Sequence, residues 1–255
     1  MRLDGKRALV TGGGRGLGRE VVLLMAGEGA SVVVFDLNGD GAEAVAAEAR
    51  DAGGTAIAVQ GDVTAESDIA AGIARCREEF GGFDVIHNNA GVQVEKPLHE
   101  TTEADFDWVS GVNFKGVFFG CKHAVMAMRE TGGGSIINTA SILAHTGDPF
   151  LPVYTGTKTG VLGMTRAIAV DYAPDGIRCN CVSPGDMETQ MIQKYFEATP
   201  DPAATRAEME AAYPGKRIAQ PREVAQAVLF LASDEASFVS GTYILVDGGL
   251  TAKTY

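Results

Sequence analysis

Tyr154 and Lys158 stand four residues apart at the start of a strongly helical stretch, so their side chains share one face of the predicted helix. A phenol titrates near pH 10, and lowering its pKa to about 7 takes about 4 kcal/mol of preferential stabilisation of the phenolate. A neighbouring ammonium group supplies much of that stabilisation. The pair therefore predicts a tyrosine acid/base, although a plain exposed Tyr-Lys pair is also common on helices.

Ser141 follows a predicted strand and precedes the loop that returns to Tyr154. A hydroxyl in this place could hydrogen-bond the same substrate oxygen that the tyrosine protonates or deprotonates. Taken alone, a serine after a strand carries no functional meaning. Its significance comes from the Tyr-Lys pair and from a glycine-rich turn near the amino terminus.

That turn reads Thr11-Gly-Gly-Gly-Arg-Gly-Leu-Gly18 and lies between the first strand and the first helix. Glycines at 12, 16 and 18 let the backbone approach a pyrophosphate, whose charge the helix amino end would meet. A glycine-rich turn that binds nothing is the alternative, but the position at the start of a βαβ unit favours a dinucleotide. The residues predicted to form this cofactor site are Gly12, Arg15, Gly16, Leu17 and Gly18.

Asp36 ends the second predicted strand, about 20 residues after the glycines, where a carboxylate can accept hydrogen bonds from the adenosine ribose. The extra phosphate of NADP would be repelled there by a few kcal/mol at an effective dielectric near 20. Arg15 favours the opposite specificity, because a guanidinium could pair with that phosphate. We give the carboxylate more weight and predict NAD as the cofactor.

The elements that must position these residues alternate between short apolar strands and longer alanine-rich helices, which predicts an α/β fold with a doubly wound, Rossmann-type parallel sheet and helices on both faces. The predicted helices cover roughly 17–28, 41–52, 66–80, 103–131, 154–173 and 221–232. The seven predicted strands are Arg7–Thr11, Ser31–Asp36, Thr55–Val59, Asp84–His87, Ser135–Asn138, Ile177–Ser183 and Tyr243–Val246.

Composition narrows the class of function. The net charge of −12 would repel nucleic acid and anionic membranes, so we expect neither as a partner. No linker divides the chain, and residues 1–255 read as a single domain. No signal peptide, membrane-spanning run or metal-binding His/Cys spacing is visible. Cys179 and Cys181 should point to one face as reduced core thiols, in agreement with a cytoplasmic location.

One segment, 186–215, breaks the strand-helix alternation. It mixes polar helix formers, apolar residues and three prolines after the sixth strand, over the carboxyl edge of the sheet. We expect a mobile substrate lid there, with Met187, Met191, Tyr195 and Phe196 as apolar walls. A static helix pair packed on a neighbouring subunit is the alternative. The substrate pocket should be mainly apolar, with Gln93, His145 and Glu188 as possible polar contacts.

The chain resembles the classical short-chain dehydrogenases/reductases along nearly its whole length. The matching segments are TGGGRGLG at 11–18, Asp62-Val63, Asn88-Asn89-Ala90-Gly91, Asn113, Ser141, Tyr154-x-x-x-Lys158, Pro184-Gly185 with Thr189, and Asp247-Gly248-Gly249. This sequence has Thr-Gly-Thr between the tyrosine and the lysine where the family usually has Ala-Ser in that interval, but the spacing is kept.

The resemblance implies a role for each matching residue. Ser141 orients the substrate oxygen, Tyr154 transfers the proton, Lys158 binds the nicotinamide ribose and lowers the tyrosine pKa, and Asn113 supports a water relay. From the sequence alone, Asn113 would be only a polar interruption of its helix. The residues implied in cofactor contacts besides the glycine turn and Asp36 are Asp62, Val63, Asn89, Ala90, Gly91, Tyr154, Lys158, Pro184, Gly185 and Thr189.

These observations predict an NAD(H)-dependent oxidoreductase that acts on a small secondary alcohol or ketone, and the resemblance implies a homotetramer. One alternative is an NADP(H)-dependent ketone or 3-oxoacyl reductase on the same fold, favoured by Arg15. A non-catalytic dinucleotide-binding protein is the other, and the joint presence of Ser141, Tyr154 and Lys158 argues against it. The sequence leaves the choice among sugars, polyols, steroids, cyclic alcohols and hydroxy acids open.

Overall fold

The computed structural model describes residues 1–254, which form a seven-stranded parallel sheet in the order β3-β2-β1-β4-β5-β6-β7. The predicted doubly wound fold is confirmed. The strands are β1 (Arg7–Thr11), β2 (Ser31–Asp36), β3 (Thr55–Gln60), β4 (Val85–Asn88), β5 (Gly134–Thr139), β6 (Ile177–Pro184) and β7 (Tyr243–Val246). The helices are α1 (Gly16–Gly27), α2 (Gly39–Asp51), α3 (Glu66–Phe80), α4 (Glu103–Ser110), α5 (Val117–Thr131), α6 (Pro152–Asp171), α7 (Gln190–Glu197), α8 (Pro202–Ala212) and α9 (Pro221–Ala232).

Both faces of the sheet are covered, which explains why its central strands are nearly continuous apolar runs. One core packs α1, α2 and α9 against side chains such as Val10 and Val34, and the second packs α3, α5 and α6 against Leu9 and Ile136. Cys179 and Cys181 both belong to the second core as free thiols, as their spacing predicts.

The chain order reverses beside β1, which has β2 on one side and β4 on the other. Ligands of open α/β sheets bind at such a switch point, outside the carboxyl ends of the strands. The glycine turn follows β1 at this edge, and the residues after β4, β5 and β6 reach the same edge. The topology therefore gathers the predicted site residues in one crevice.

The single helix predicted over 103–131 is interrupted. Its middle, Gly111–Gly116, is a π-helical turn between α4 and α5, and it contains Asn113. A π turn inserts one extra residue per turn and leaves a backbone group outside the regular ladder, a feature that often marks functional sites. Periodicity could not show it, because α4 and α5 continue smoothly on either side.

Segment 186–215 contains two helices, α7 and α8, in agreement with the helix pair that the sequence left open as the alternative. Phe196 and Tyr213 are buried, with exposed fractions of 5% and 3%, and Met187 packs against the first core. The segment is therefore anchored by these three side chains, although only Met187 contacts the first core. Phe196 packs between the two helices, where the Arg206 guanidinium lies 5.7 Å from its ring centroid.

Candidate active site

The glycine turn has a backbone that other residues could not adopt. Gly12 and Gly16 have φ of +63° and +53°, in the left-handed region. A Cβ atom on Gly18 would lie 2.0 Å from the carbonyl oxygen of Gly12, so α1 packs against the turn only because residue 18 has no side chain. The amino end of α1 is thus left open for a pyrophosphate, and the residues present fit a dinucleotide.

The turn is held by residues after β4. The Thr11 hydroxyl accepts hydrogen bonds from the amides of Asn89 and Ala90, at 2.9 and 3.1 Å. The Asn89 side-chain amide donates to the carbonyl oxygens of Thr11 and Gly12, at 3.0 and 3.1 Å. Asn89 therefore shapes the turn with its side chain, and Thr11 is a functional residue that the sequence analysis missed.

Asp36 lies against the turn with its carboxylate fixed from two sides. One oxygen accepts from the Gly14 amide and the other from the Asn38 amide, both at 2.9 Å. These two bonds hold the carboxylate in one orientation. Arg15 is exposed at the outer edge of the same turn.

The remaining candidate cofactor residues border the same crevice. Asp62 accepts a hydrogen bond from the Thr64 amide at 2.8 Å, and Val63 packs beside Gly116 of the π turn. Thr189 begins α7 and lies beside the glycine turn, with its Cγ2 3.6 Å from the Cβ position of Gly16. Pro184 and Gly185 end β6 at this edge, and a Cβ on Gly185 would lie 2.6 Å from the Tyr213 hydroxyl.

Tyr154, Lys158 and Ser141 come together at the carboxyl ends of β5 and β6. The Lys158 Nζ lies 5.5 Å from the centroid of the Tyr154 ring. It donates a 2.7 Å hydrogen bond to the carbonyl oxygen of Thr139, the last residue of β5. Ser141 is buried two residues later and begins a short 3-10 turn. Thr139, which sequence patterns gave no reason to select, thus positions the lysine.

Burial dominates the protonation of this group. It raises the pKa of Tyr154 to about 12, although the nearby Ser141 hydroxyl acts in the opposite direction, and the negative charge of Asp186 raises it further. Burial also lowers the pKa of Lys158 to about 8. Burial therefore disfavours the charged form of each residue, the phenolate of Tyr154 and the ammonium group of Lys158. Proton transfer in this pocket must offset that cost.

Asn113 uses its side chain to fix the loop after β4. Its Oδ1 accepts from the Val92 amide and its Nδ2 donates to the Val92 carbonyl, both at 2.8 Å. Gly91 lies between Asn113 and Lys158, because its Cβ position is 3.6 Å from both Asn113 Oδ1 and Lys158 Nζ. The asparagine is therefore buried and holds the loop after β4 in place beside the lysine.

His87 is a buried residue that the sequence analysis left without a role. Its Nε2 lies 2.8 Å from the Thr139 hydroxyl, and its Nδ1 has no hydrogen-bond partner among residues 1–254. Burial and then the charge of Lys158 lower its pKa to about 3, so the ring is neutral near pH 7. His87 thus supports Thr139, which in turn binds Lys158.

Acidic side chains come close together near the carboxyl end of β6. Asp186 follows Gly185 directly, and the negative charge of Asp148 adds to burial in raising the pKa of both Glu95 and Asp186. The Lys96 amide donates to the Phe150 carbonyl at 2.8 Å and joins the loops that carry Glu95 and Asp148. Glu188, expected as a polar contact, is instead ion-paired with Arg206. The mainly apolar character of the substrate pocket stays a prediction.

His145, predicted as a possible polar contact of the substrate pocket, is exposed and is held by two neighbouring side chains. Its Nε2 lies 3.1 Å from the Ser183 hydroxyl, and its ring stacks 4.2 Å from that of Tyr243. These contacts tie the loop after Ser141 to β6 and β7.

Two further observations concern membrane-spanning helices and metal-binding groups. No helix within residues 1–254 combines the length and the apolar character that crossing a membrane requires. In the same part of the chain, no group of three or more His, Cys, Asp or Glu side chains is arranged to hold a metal ion.

Comparisons with known proteins agree with this geometry. A sequence profile for the family described as "Enoyl-(Acyl carrier protein) reductase" matches residues 12–251. The chain is 44% identical to a cis-4-hydroxycyclohexanecarboxylate dehydrogenase from Sinomonas cyclohexanicum, over 96% of each chain. It is 39% identical to a cyclohexanol dehydrogenase from Acinetobacter, covering 99% of this chain and 97% of that one. Its structure superimposes on that of levodione reductase with a TM-score of 0.96, at 35% identity and full coverage of both chains.

Proposed function

We propose that this chain, which belongs to the classical short-chain dehydrogenase/reductase family, is an NAD(H)-dependent dehydrogenase of small cyclic secondary alcohols and the corresponding ketones. That it is an oxidoreductase binding a nicotinamide dinucleotide follows from its family. The observation that carries the proposal is the position of Tyr154, Lys158 and Ser141 beside a glycine turn capped by a fixed Asp36 carboxylate. Cyclic substrates are proposed from the relatives' names alone.

The chemistry divides between the cofactor and the chain. When bound, the nicotinamide ring accepts or donates the hydride. In alcohol oxidation, Ser141 would hold the substrate hydroxyl and Tyr154 Oη would take its proton. Lys158 would stabilise the phenolate with its ammonium group, which Thr139 holds beside the tyrosine. Ketone reduction uses the same groups in reverse.

NAD preference is proposed from Asp36, whose two oxygens are already held by backbone amides. The test compares kcat/KM for NAD and NADP in the wild type and in Asp36→Ala. We expect NAD to be preferred, and the preference to shrink at least tenfold in the variant, because the carboxylate is gone while Arg15 remains. A wild-type enzyme that works better with NADP would overturn the assignment.

A second candidate function is that of an NADP(H)-dependent 3-oxoacyl or ketone reductase. Arg15 is exposed beside the turn, and the matching family profile takes its description from an acyl-carrier reductase. Assays with cyclohexanol, cyclopentanol, an acetoacetyl thioester and a free aldose, each with both cofactors, separate the candidates. Turnover of the thioester with NADPH at a higher kcat/KM than any cyclic ketone would favour the rival, and preference for the aldose would exclude the cyclic-alcohol class.

We also propose that 186–215 acts as the substrate lid. Thr189 lies beside Gly16, and the Glu188–Arg206 ion pair joins α8 to the loop that carries Thr189. Buried Phe196 and Tyr213 would be its anchors. Hydrogen exchange with and without NADH plus a ketone analogue tests this: protection should increase over 190–212, and unchanged exchange there would exclude a lid.

A homotetramer is proposed from two separate apolar surfaces, because a tetramer with two distinct two-fold interfaces needs two such patches. One is a groove on α4 to α6, lined by Leu98, Phe106, Phe114, Val153, Gly156 and Gly160. The other surrounds the edge strand β7, where Tyr243, Leu245 and Phe238 are exposed. Light scattering should give four times the 26.6 kDa chain mass, and Phe114→Glu should give a smaller species. A wild-type monomer would refute the assembly.

We place the enzyme in the cytoplasm, where four free cysteines stay reduced. Fractionation of the source cells would test this location.

A further inference from the structure

Asp186 is a carboxylate that the proposed reaction does not use, and it stands at the edge of the sheet that carries Ser141 and Tyr154. It follows Pro184-Gly185 at the end of β6, next to the strand end that carries Ser141. Its backbone is fixed, because the Ala219 amide donates to its carbonyl at 2.9 Å. The side chain is half-buried, so it is neither a surface group nor part of the core.

Tyr213 holds Asp186 in one orientation. The tyrosine hydroxyl donates to Asp186 Oδ2 at 2.8 Å and accepts from the Asp186 amide at 2.6 Å. Tyr213 is itself 97% buried, and residue 185 must be glycine to leave room for its hydroxyl. A buried tyrosine thus serves to fix this carboxylate, and a bond of this kind to a charged acceptor is strong.

The other oxygen, Oδ1, is left available. Within residues 1–254 no group donates a hydrogen bond to it, and no Lys or Arg forms an ion pair with Asp186. Two cationic side chains of the surrounding segments form ion pairs with other carboxylates: Arg206 with Glu188, and Lys96 with Asp105.

Asp186 lies near the reacting group, because β6, which it follows, pairs with β5, which leads to Ser141. Its charge is one of the causes that raise the pKa of Tyr154, and it also raises the pKa of Tyr195 on α7. The carboxylate therefore lies within electrostatic range of both the catalytic tyrosine and α7, the first helix of the proposed lid. Burial raises the pKa of Asp186, and the negative charge of Asp148 raises it further.

We propose that Oδ1 of Asp186 accepts a hydrogen bond from a second hydroxyl group of the substrate, which makes the preferred substrates cyclic diols and hydroxyketones. This inference rests on the proposed function. An acceptor in a half-buried site rejects an analogue that lacks the donor, because the acceptor is then desolvated without a partner. The same negative charge repels substrates that carry a carboxylate.

The chain should therefore differ from its hydroxycyclohexanecarboxylate-oxidising relative, despite 44% identity. Buried polar groups that bind a substrate hydroxyl discriminate strongly. We expect kcat/KM for cyclohexane-1,4-diol to exceed that for cyclohexanol at least tenfold, and that for 4-hydroxycyclohexanecarboxylate to be lowest of the three.

The test measures these three substrates with wild type, Asp186→Leu and Asp186→Asn, with Asp51→Asn as the control that removes an exposed carboxylate on α2. Asp186→Leu should reduce the diol-to-cyclohexanol ratio of kcat/KM at least tenfold. Asp186→Asn keeps an acceptor for Tyr213 but removes the charge, so it should improve the carboxylate substrate relative to cyclohexanol. Asp51→Asn should leave both ratios at their wild-type values.

NADH binding, followed by fluorescence, shows that each variant is folded. If Asp186→Leu does not bind NADH, the test rests on Asp186→Asn and on its ratio of kcat/KM for 4-hydroxycyclohexanecarboxylate to kcat/KM for cyclohexanol. Unchanged ratios in a folded variant, or a wild type that prefers cyclohexanol or the carboxylate, would overturn the role of Asp186 and leave the proposed function intact. A wild type that oxidises none of these alcohols with either cofactor would overturn the proposed function and this inference with it.

Discussion

Replacing Lys158 by methionine should remove activity and make protein stability respond differently to pH. Methionine keeps most of the volume of the side chain but has no charge and no donor. Lys158 is 97% buried, so the full cost of burying its ammonium group is felt by the folded state. The prediction concerns the difference between the free energies of unfolding of the two proteins, measured as a function of pH.

The magnitude follows from the pKa of Lys158, which burial lowers from 10.5 to about 8. Each pKa unit corresponds to about 1.4 kcal/mol, so the protonated lysine destabilises the fold by about 3 kcal/mol below pH 8. Between pH 8 and 10.5 the unfolded chain retains a proton that the folded chain has lost, and wild-type stability therefore rises with pH in this window. Methionine removes this dependence.

A second contribution does not depend on pH. The variant loses the 2.7 Å hydrogen bond to the Thr139 carbonyl, and leaving that buried acceptor unpaired costs about 1–3 kcal/mol. At pH 7 the variant should therefore be as stable as the wild type or up to about 2 kcal/mol more stable, since about 3 kcal/mol of desolvation cost is relieved. At pH 10.5 it should be the less stable protein, by about 1–3 kcal/mol.

Urea unfolding of both proteins at intervals from pH 7 to 10.5 measures the effect. Every other titrating group is shared, so the difference between the two curves isolates residue 158. We expect that difference to change by about 3 kcal/mol across the window, equivalent to roughly 6–12 °C in Tm for a chain of this size. Parallel curves would refute the assigned pKa, and a wild type whose advantage shrank with rising pH would refute its direction.

Three other substitutions test the site. Tyr154→Phe should lower kcat by at least about 100-fold, the usual contribution of a general acid/base, while NADH fluorescence titration gives a Kd within about twofold of wild type; retention of most activity would remove Tyr154 from its role. Gly18→Ala should abolish NADH binding, because its Cβ would meet the Gly12 carbonyl at 2.0 Å, whereas Gly27→Ala in the same helix, where nothing lies within 4 Å, should bind normally; equal effects of the two would contradict the packing argument. His87→Val should lower kcat about tenfold, because it loses the bond to Thr139, without lowering Tm, because it also removes the unpaired Nδ1. His87→Gln should restore part of kcat. A fall in Tm with unchanged kcat would mean that His87 only fills space.

The sequence by itself determined the features that depend on neighbours along the chain. Alternating strands and helices predict the doubly wound sheet, since burial on both faces requires apolar strands. The glycine turn and the Tyr154–Lys158 spacing are equally local: one depends on backbone freedom between a strand and a helix, and the other on the pitch of α6.

The tertiary structure alone decided which groups meet at the edge of the sheet. Three contacts join residues 19 to 52 positions apart in the chain: Lys158 with Thr139, His87 with Thr139, and Asn113 with Val92. Asp186 locked by Tyr213 is of the same kind, with 27 positions between them. No periodicity records such pairs, because each depends on how strand ends and loops from separate βα units pack together. The candidate proton-transfer residues were therefore readable in the sequence, whereas the groups that hold them in place required the fold.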